Sequence, residues 1–146
     1  MNRPIKYIVV HCTDSPNPAQ DVAMVRSWQV DPRFNGGSPL LDIAYHFLIR
    51  MDGAVEPGRP MESPGAGEPG YNRTGIHIAL AGRDNFKPCQ FASLESLLRH
   101  LHDQFPDAVL YGHREINRGA PKTCPNFDME WLKARWREWK ARGRLV

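Results

Sequence analysis

The stretch PCQFASLESLLRHLHDQFP (88–106) constrains the fold more than any other. Leu94, Leu97, Leu98, Leu101 and Phe105 recur at helical spacing, which predicts an amphipathic helix with one apolar face to bury. Short β-rich runs lie on both sides of it: KYIVVH (6–11), TGIHIALAG (74–82) and AVLYGH (108–113). DIAYHFLIRMDGAVEPG (42–58) reads as a hairpin, two such runs around Asp52-Gly53, a dipeptide suited to a tight turn. A first helix is expected to start at Asn17-Pro18 and to carry Val22, Val25 and Trp28 or Gln29 before Pro32 and Gly36-Gly37 break it. A last helix starts near Asp128 as N-cap and presents Leu132, Trp136 and Trp139 on one face. Strands and helices interleave, so the fold class expected is α/β, a sheet with helices packed on it.

At 146 residues, without repeats or a linker, the chain is expected to be a single domain over 1–146. Its longest apolar run, IKYIVVH, is too short to span a bilayer and lacks the features of a secretory signal. Synthesis in the cytoplasm without a signal peptide is therefore expected. The net charge is +3, and the excess gathers in KARWREWKARGRLV, whose cations far outnumber its single Glu138. Such a tail could favour an anionic surface, but a solvated helix face is the plainer reading, and no nucleic-acid partner is expected. Three cysteines, an odd count with no export signal, argue against a disulfide framework.

Six histidines bear on the chemistry. His100 and His102 lie on or near the polar face of the leucine-patterned helix and are expected to be solvated. His46 and His77 lie within strands, where a structural role is at least as natural as a catalytic one. His11 and His113 each end an apolar strand, at the edge where α/β sheets usually bind ligands. Cys124 follows His113 on a Pro/Gly-containing loop that can fold back on that edge. Two histidines and a cysteine make a plausible three-ligand zinc set with a fourth position open for water. The competing reading is a Cys/His hydrolase with Cys12 or Cys124 as nucleophile. Cys12 follows His11 directly, so it points to the other face of the strand and reads as a small buried residue. For Cys124, the residue pattern alone leaves ligand and nucleophile both open.

The stretches IVVHCTDS, DIAYHFLIRMDGAVEPGR, GYN followed by a strand ending LAG, YGHRE and APKTCPNFD bear on that choice. In this order, over roughly residues 6–132, the sequence resembles the zinc-dependent N-acetylmuramoyl-L-alanine amidases of the phage lysozyme and peptidoglycan-recognition type. The resemblance implies a single domain with a central mixed β-sheet flanked by helices, and one zinc ion per chain. It implies an endolysin acting in the periplasm, where it hydrolyses the amide between N-acetylmuramic acid and the L-alanine of the stem peptide. His11, His113 and Cys124 fall on the family's zinc ligands. Tyr45 matches a tyrosine that stands near the metal, and Lys122 a lysine used in catalysis. Zinc would lower the pKa of water to about 7 and polarise the carbonyl, while the Tyr45 hydroxyl and Lys122 ammonium serve the oxyanion and the departing amine.

The Pro/Gly-rich loop 57–72 is expected to wall the substrate cleft, with Arg59, Tyr71, Asn72 and Arg73 as candidates for binding glycan or peptide. His77 departs from the family, standing where a small residue is usual, and so bears on the shape of the cleft. Some relatives bind peptidoglycan without cutting it, typically after losing a metal ligand; this chain keeps the full set. Others bind and inhibit a phage RNA polymerase, on which nothing in this sequence speaks. The basic C-terminal helix could make weak contact with anionic membrane or lipopolysaccharide, but packing of Leu132, Trp136 and Trp139 on the sheet is the preferred reading.

Overall fold

The computed structural model describes residues 2–119 and 122–143. Ala120-Pro121 of the APKTC stretch, and the end of the basic tail from Arg144, lie outside them. Five strands and three helices follow one another as β1 (Tyr7–Cys12), α1 (Val22–Val30), β2 (Phe47–Ile49), β3 (Val55–Pro57), β4 (Gly75–Leu80), α2 (Pro88–Gln104), β5 (Val109–Gly112) and α3 (Glu130–Arg142). The strands form one sheet in the order β3-β2-β4-β1-β5. β3 runs antiparallel to β2 and every other pairing is parallel, so the sheet is mixed, as the resemblance implies.

The pleat sorts side chains between two apolar layers, because neighbours along a strand point to opposite faces. Ile8 and Val10 of β1, Ile76, Ile78 and Leu80 of β4, and Leu110 of β5 pack with Leu94, Leu98 and Leu101 of α2 and Leu132 and Trp136 of α3. Leu48 and Ala79 turn the other way and pack with Val22 and Val25 of α1 and with Ile43. The result is one domain of helix, sheet and helix layers. His11 and His77 alternate with the first set, so they face the α1 side, where loops rather than a helix cover the ends of β1 and β4.

Several boundaries differ from expectation for identifiable reasons. α1 begins at Val22, because Asp21 caps it by accepting from Met24 N at 2.8 Å. Asn17 instead closes a local turn, its Oδ1 accepting from Ala19 N. The hairpin loop is three residues, Met51–Gly53: Gly53 N–H bonds the Arg50 carbonyl, and Gly53 takes a positive φ of 85°. α3 starts at Glu130 with Met129 rather than Asp128 at the N-cap, and Asp128 instead accepts from Glu130 N at 3.0 Å from one residue further back. His102 is the clear reversal. It is 1% exposed rather than solvated, edge-on to Trp136 with ring centroids 4.8 Å apart, because α3 packs across that side of α2. His100 is exposed, as expected.

Candidate metal centre

β1 and β5 lie side by side and parallel, with Val10 opposite Gly112. One step further along each strand come His11 and His113, on the same face, and their rings stand 4.5 Å apart. The chain then turns through a short 3-10 segment, His113–Glu115, and returns so that Cys124 lies across the end of β1. The Cys124 carbonyl accepts from Arg114 N at 2.8 Å, and Cys124 Sγ accepts from Cys12 N at 3.1 Å. One ligand atom each from His11, His113 and Cys124 falls within 4.8 Å of the others.

The electrostatics suit a divalent cation. Contact with Cys12, and hydrogen bonding to His11 and His113, hold the Cys124 thiol well below its usual pKa against the effect of burial. That shift favours the thiolate, the form that ligates a metal. Cys12 itself is buried as expected, yet its thiol is not remote from the centre: its contact with Cys124 and its burial push its own pKa up. Burial keeps the His11 imidazole neutral. At His113 burial works the same way, but Cys124 and then Glu68 outweigh it and raise the pKa. Two imidazoles and a thiolate are the donor set that zinc takes in an open site, so the residues present fit that ion.

Each histidine is already engaged through Nε2. His113 Nε2 bonds Glu68 Oε1 at 2.8 Å, and His11 Nε2 bonds His77 Nδ1 at the same distance. Both rings also hydrogen-bond Cys124, and Nδ1 is the nitrogen each has left. Glu68 is 5% exposed and is presented by loop 57–72. That loop is tied by Asn72, whose Oδ1 accepts from Gly67 N and Glu68 N. A metal-bound histidine paired with a carboxylate is a recurrent arrangement that fixes ring and tautomer. Glu68 has no distinguishing signal in the sequence, being one of two acids, with Glu62, in a run of Gly and Pro.

Above the three donors opens a cleft of about 570 Å³, within the usual range for small-molecule and peptide sites. Tyr45 and Lys122 both line it, with Asp14, Asn35 and Asn126. The Tyr45 ring lies 5.2 Å from that of His11. Burial pushes its phenol pKa up, with the Cys124 charge adding and a hydrogen bond from Gln29 offsetting in part, so Tyr45 stays a proton donor at neutral pH. Lys122 is exposed, and its charge lowers the proton affinity of both His11 and His113, as a cation beside them must.

The remaining expected residues do other things. Arg59 gives its donors to the carbonyls of Ile43, Pro64 and Asp42, clamping the loop. Tyr71 packs edge-on to Tyr7 with centroids 4.8 Å apart. Arg73 is exposed and outside the cleft lining, and His77 is fully buried beneath the cleft floor. On α3, the Trp136 indole donates to the Ala108 carbonyl at 3.0 Å, and three of the helix's cations are paired, Lys133 with Glu115, Arg135 with Glu95 and Arg142 with Glu138.

Fold and donor set together define an α/β protein with a His/His/Cys centre at the parallel edge of its sheet. Residues 1–127 match the N-acetylmuramoyl-L-alanine amidase family, and the chain belongs to it. The endolysin of Escherichia phage T7 is 38% identical over 141 residues, 90% of this chain and 84% of that protein. Among solved structures, the N-acetylmuramoyl-L-alanine amidase LysC from Clostridium intestinale URNW superposes with a TM-score of 0.75 at 30% identity, covering 93% of this chain and 87% of that one. PGRP-SA of Apis mellifera is similar in fold, with a TM-score of 0.73 at 26% identity over 93% of this chain and 85% of that one.

Proposed function

We propose that this chain is a peptidoglycan hydrolase of the endolysin kind, cleaving the amide between N-acetylmuramic acid and L-alanine of the stem peptide, with one zinc ion held by His11, His113 and Cys124. The observation that carries the reading is the convergence of those three donors with Tyr45 and Lys122 in one cleft. When bound, zinc supplies a water nucleophile near neutral pH and a Lewis acid for the scissile carbonyl. The chain's own residues do the rest. Tyr45, a neutral phenol at the cleft wall, donates a hydrogen bond where negative charge develops on the carbonyl oxygen. Lys122, an ammonium on the loop opposite, stabilises the same charge and can pass a proton to the departing amine. Glu68 and His77 keep the ligand rings in place. From loop 57–72, Ala66 and Gly67 line the cleft and offer a wall for glycan or peptide.

The substrate lies in the cell wall, so the protein has to reach the periplasm to act. Among the described residues, no helix is long and apolar enough to cross a membrane. Relatives that only bind peptidoglycan mark the alternative, and the presence of Cys124 beside His11 and His113 favours hydrolysis over it. The test combines metal analysis with mass spectrometry of digested walls. About one zinc per chain and release of intact stem peptides with a free L-alanine amine are expected. Chelation should abolish release and added zinc restore it; full activity after complete chelation would overturn the reading.

A further inference from the structure

His11 and His77 face the same way from adjacent parallel strands, with Val9 opposite His77 and His11 opposite Ala79. The pair therefore meets on the diagonal, His11 Nε2 to His77 Nδ1 at 2.8 Å. Only one of these nitrogens can carry the shared proton. The other nitrogen of His77, Nε2, is fully buried with no hydrogen-bond partner among the described residues. With Nε2 of His11 turned to His77, Nδ1 is the atom His11 has left for a metal. A neutral ring that ligates through Nδ1 carries its proton on Nε2, so Nδ1 of His77 is the acceptor between the rings.

From this we infer that His77 is a positioning residue for the metal centre: its Nδ1 accepts the Nε2 proton of His11 and so presents Nδ1 of His11 as the ligating atom. The inference rests on the reading of His11, His113 and Cys124 as metal ligands.

His77 is held as such a role requires. Its backbone N–H donates to His46 Nδ1 at 3.0 Å, and its carbonyl accepts from His46 N at 2.8 Å. His46 is itself fixed, since Nδ1 is an acceptor and Nε2 reaches the Ser63 carbonyl at 2.8 Å. The covering loop is cut to fit. An added Cβ at Gly65 would stand 2.8 Å from His77 Cδ2, and one at Gly67 would overlap both His77 Nδ1 and His11 Nε2. Backbone without side chains therefore lies flush on the imidazole pair and keeps water from competing for its hydrogen bond. The two ligand histidines are then supported unequally, His113 by a carboxyl group and His11 by a second imidazole.

The experiment compares wild type, His77→Val and His77→Asn, measuring zinc affinity by competition with a chromophoric chelator on samples shown to be folded. His77→Val should weaken zinc binding by roughly 10- to 100-fold, the range for loss of a partner behind a ligand. His77→Asn can place an acceptor oxygen where Nδ1 stood and should recover most of that loss. Long-range proton–nitrogen NMR of the zinc-loaded wild type, which needs no variant, should show the His11 proton on Nε2. Two results would overturn the inference: a folded His77→Val that binds zinc as tightly as wild type, or a zinc-loaded wild type with the His11 proton on Nδ1. Failure of the wild type to bind zinc at all would instead overturn the function proposed above, so the two failures are separable.

Discussion

Among single residues, Lys122 is the one whose environment says most about turnover. It lies two positions before Cys124, exposed at the cleft and close enough for its charge to be felt by both ligand histidines. A cation there stabilises charge that exists only as the amide is attacked, so its loss belongs in kcat. Lys122→Ala should lower kcat by roughly 10²-fold with zinc content unchanged, as checked by single-turnover assay beside metal analysis. The gathering of these side chains was foreseeable in the sequence: the strand ends pointed to His11 and His113, the loop folding back to Cys124 as ligand or nucleophile, and the resemblance to Tyr45 and Lys122 and to Cys124 as ligand. Glu68 and His77 were not read in their roles, because a partner behind a ligand is defined by where a loop or a neighbouring strand returns, and neither is a local property.

Between elements, the polar joints matter as much as the apolar faces. Gln90, in the first turn of α2 and fully buried, donates to the carbonyls of Ile49 and Ala81 and accepts from Lys87 N. It fastens the helix start to β2 and to the end of β4. Gln90→Leu would take its donor from the buried Ala81 carbonyl and its acceptor from Lys87 N, while the Ile49 carbonyl keeps Ala81 N, and should destabilise by about 1–3 kcal/mol, measured by urea unfolding. The α2–α3 contact carries a titratable group as well. His102 sits between Trp136 and Trp139 with neither ring nitrogen hydrogen-bonded. Burial, assisted by Arg99 and Lys140 and opposed by Asp103, depresses its pKa. The unfolded chain therefore takes up a proton near pH 6.5 that the folded chain refuses, so stability is intact above that pH and falls below it. His46, brought down to about 4 by burial, acts in the same sense. Melting temperature should fall as pH drops from 6.5 toward 4, and His102→Gln should flatten part of that slope. The buried His102 also shows where periodicity fails: the helical pattern marks one face for the sheet, but a second face is claimed by α3, which lies some thirty residues further along.

For the whole molecule, the C-terminal helix is part of the core rather than an appendage. Leu132 is fully buried, Trp136 is 5% exposed, and Trp139 packs against the same cluster. Truncation after Asp128 should abolish cooperative unfolding and near-UV circular dichroism, not merely weaken attachment to anionic lipid. A soluble, cooperatively folded truncation would show instead that α3 is dispensable. The β2–β3 hairpin, the three helices and, through the resemblance, a mixed sheet were foreseeable as classes of element. The strand order was not, because it depends on which long-range pairings close around the core.

The pleat that divides the sheet also divides labour. Every group proposed for chemistry gathers at the ends of β1 and β5 on the α1 side, while α2 and α3 brace the opposite surface without reaching the cleft. Endurance and reactivity are thus seated on opposite sides of one thin partition. Hardening this enzyme against heat and tuning it for a different cell wall are therefore tasks that can be pursued on separate sets of residues.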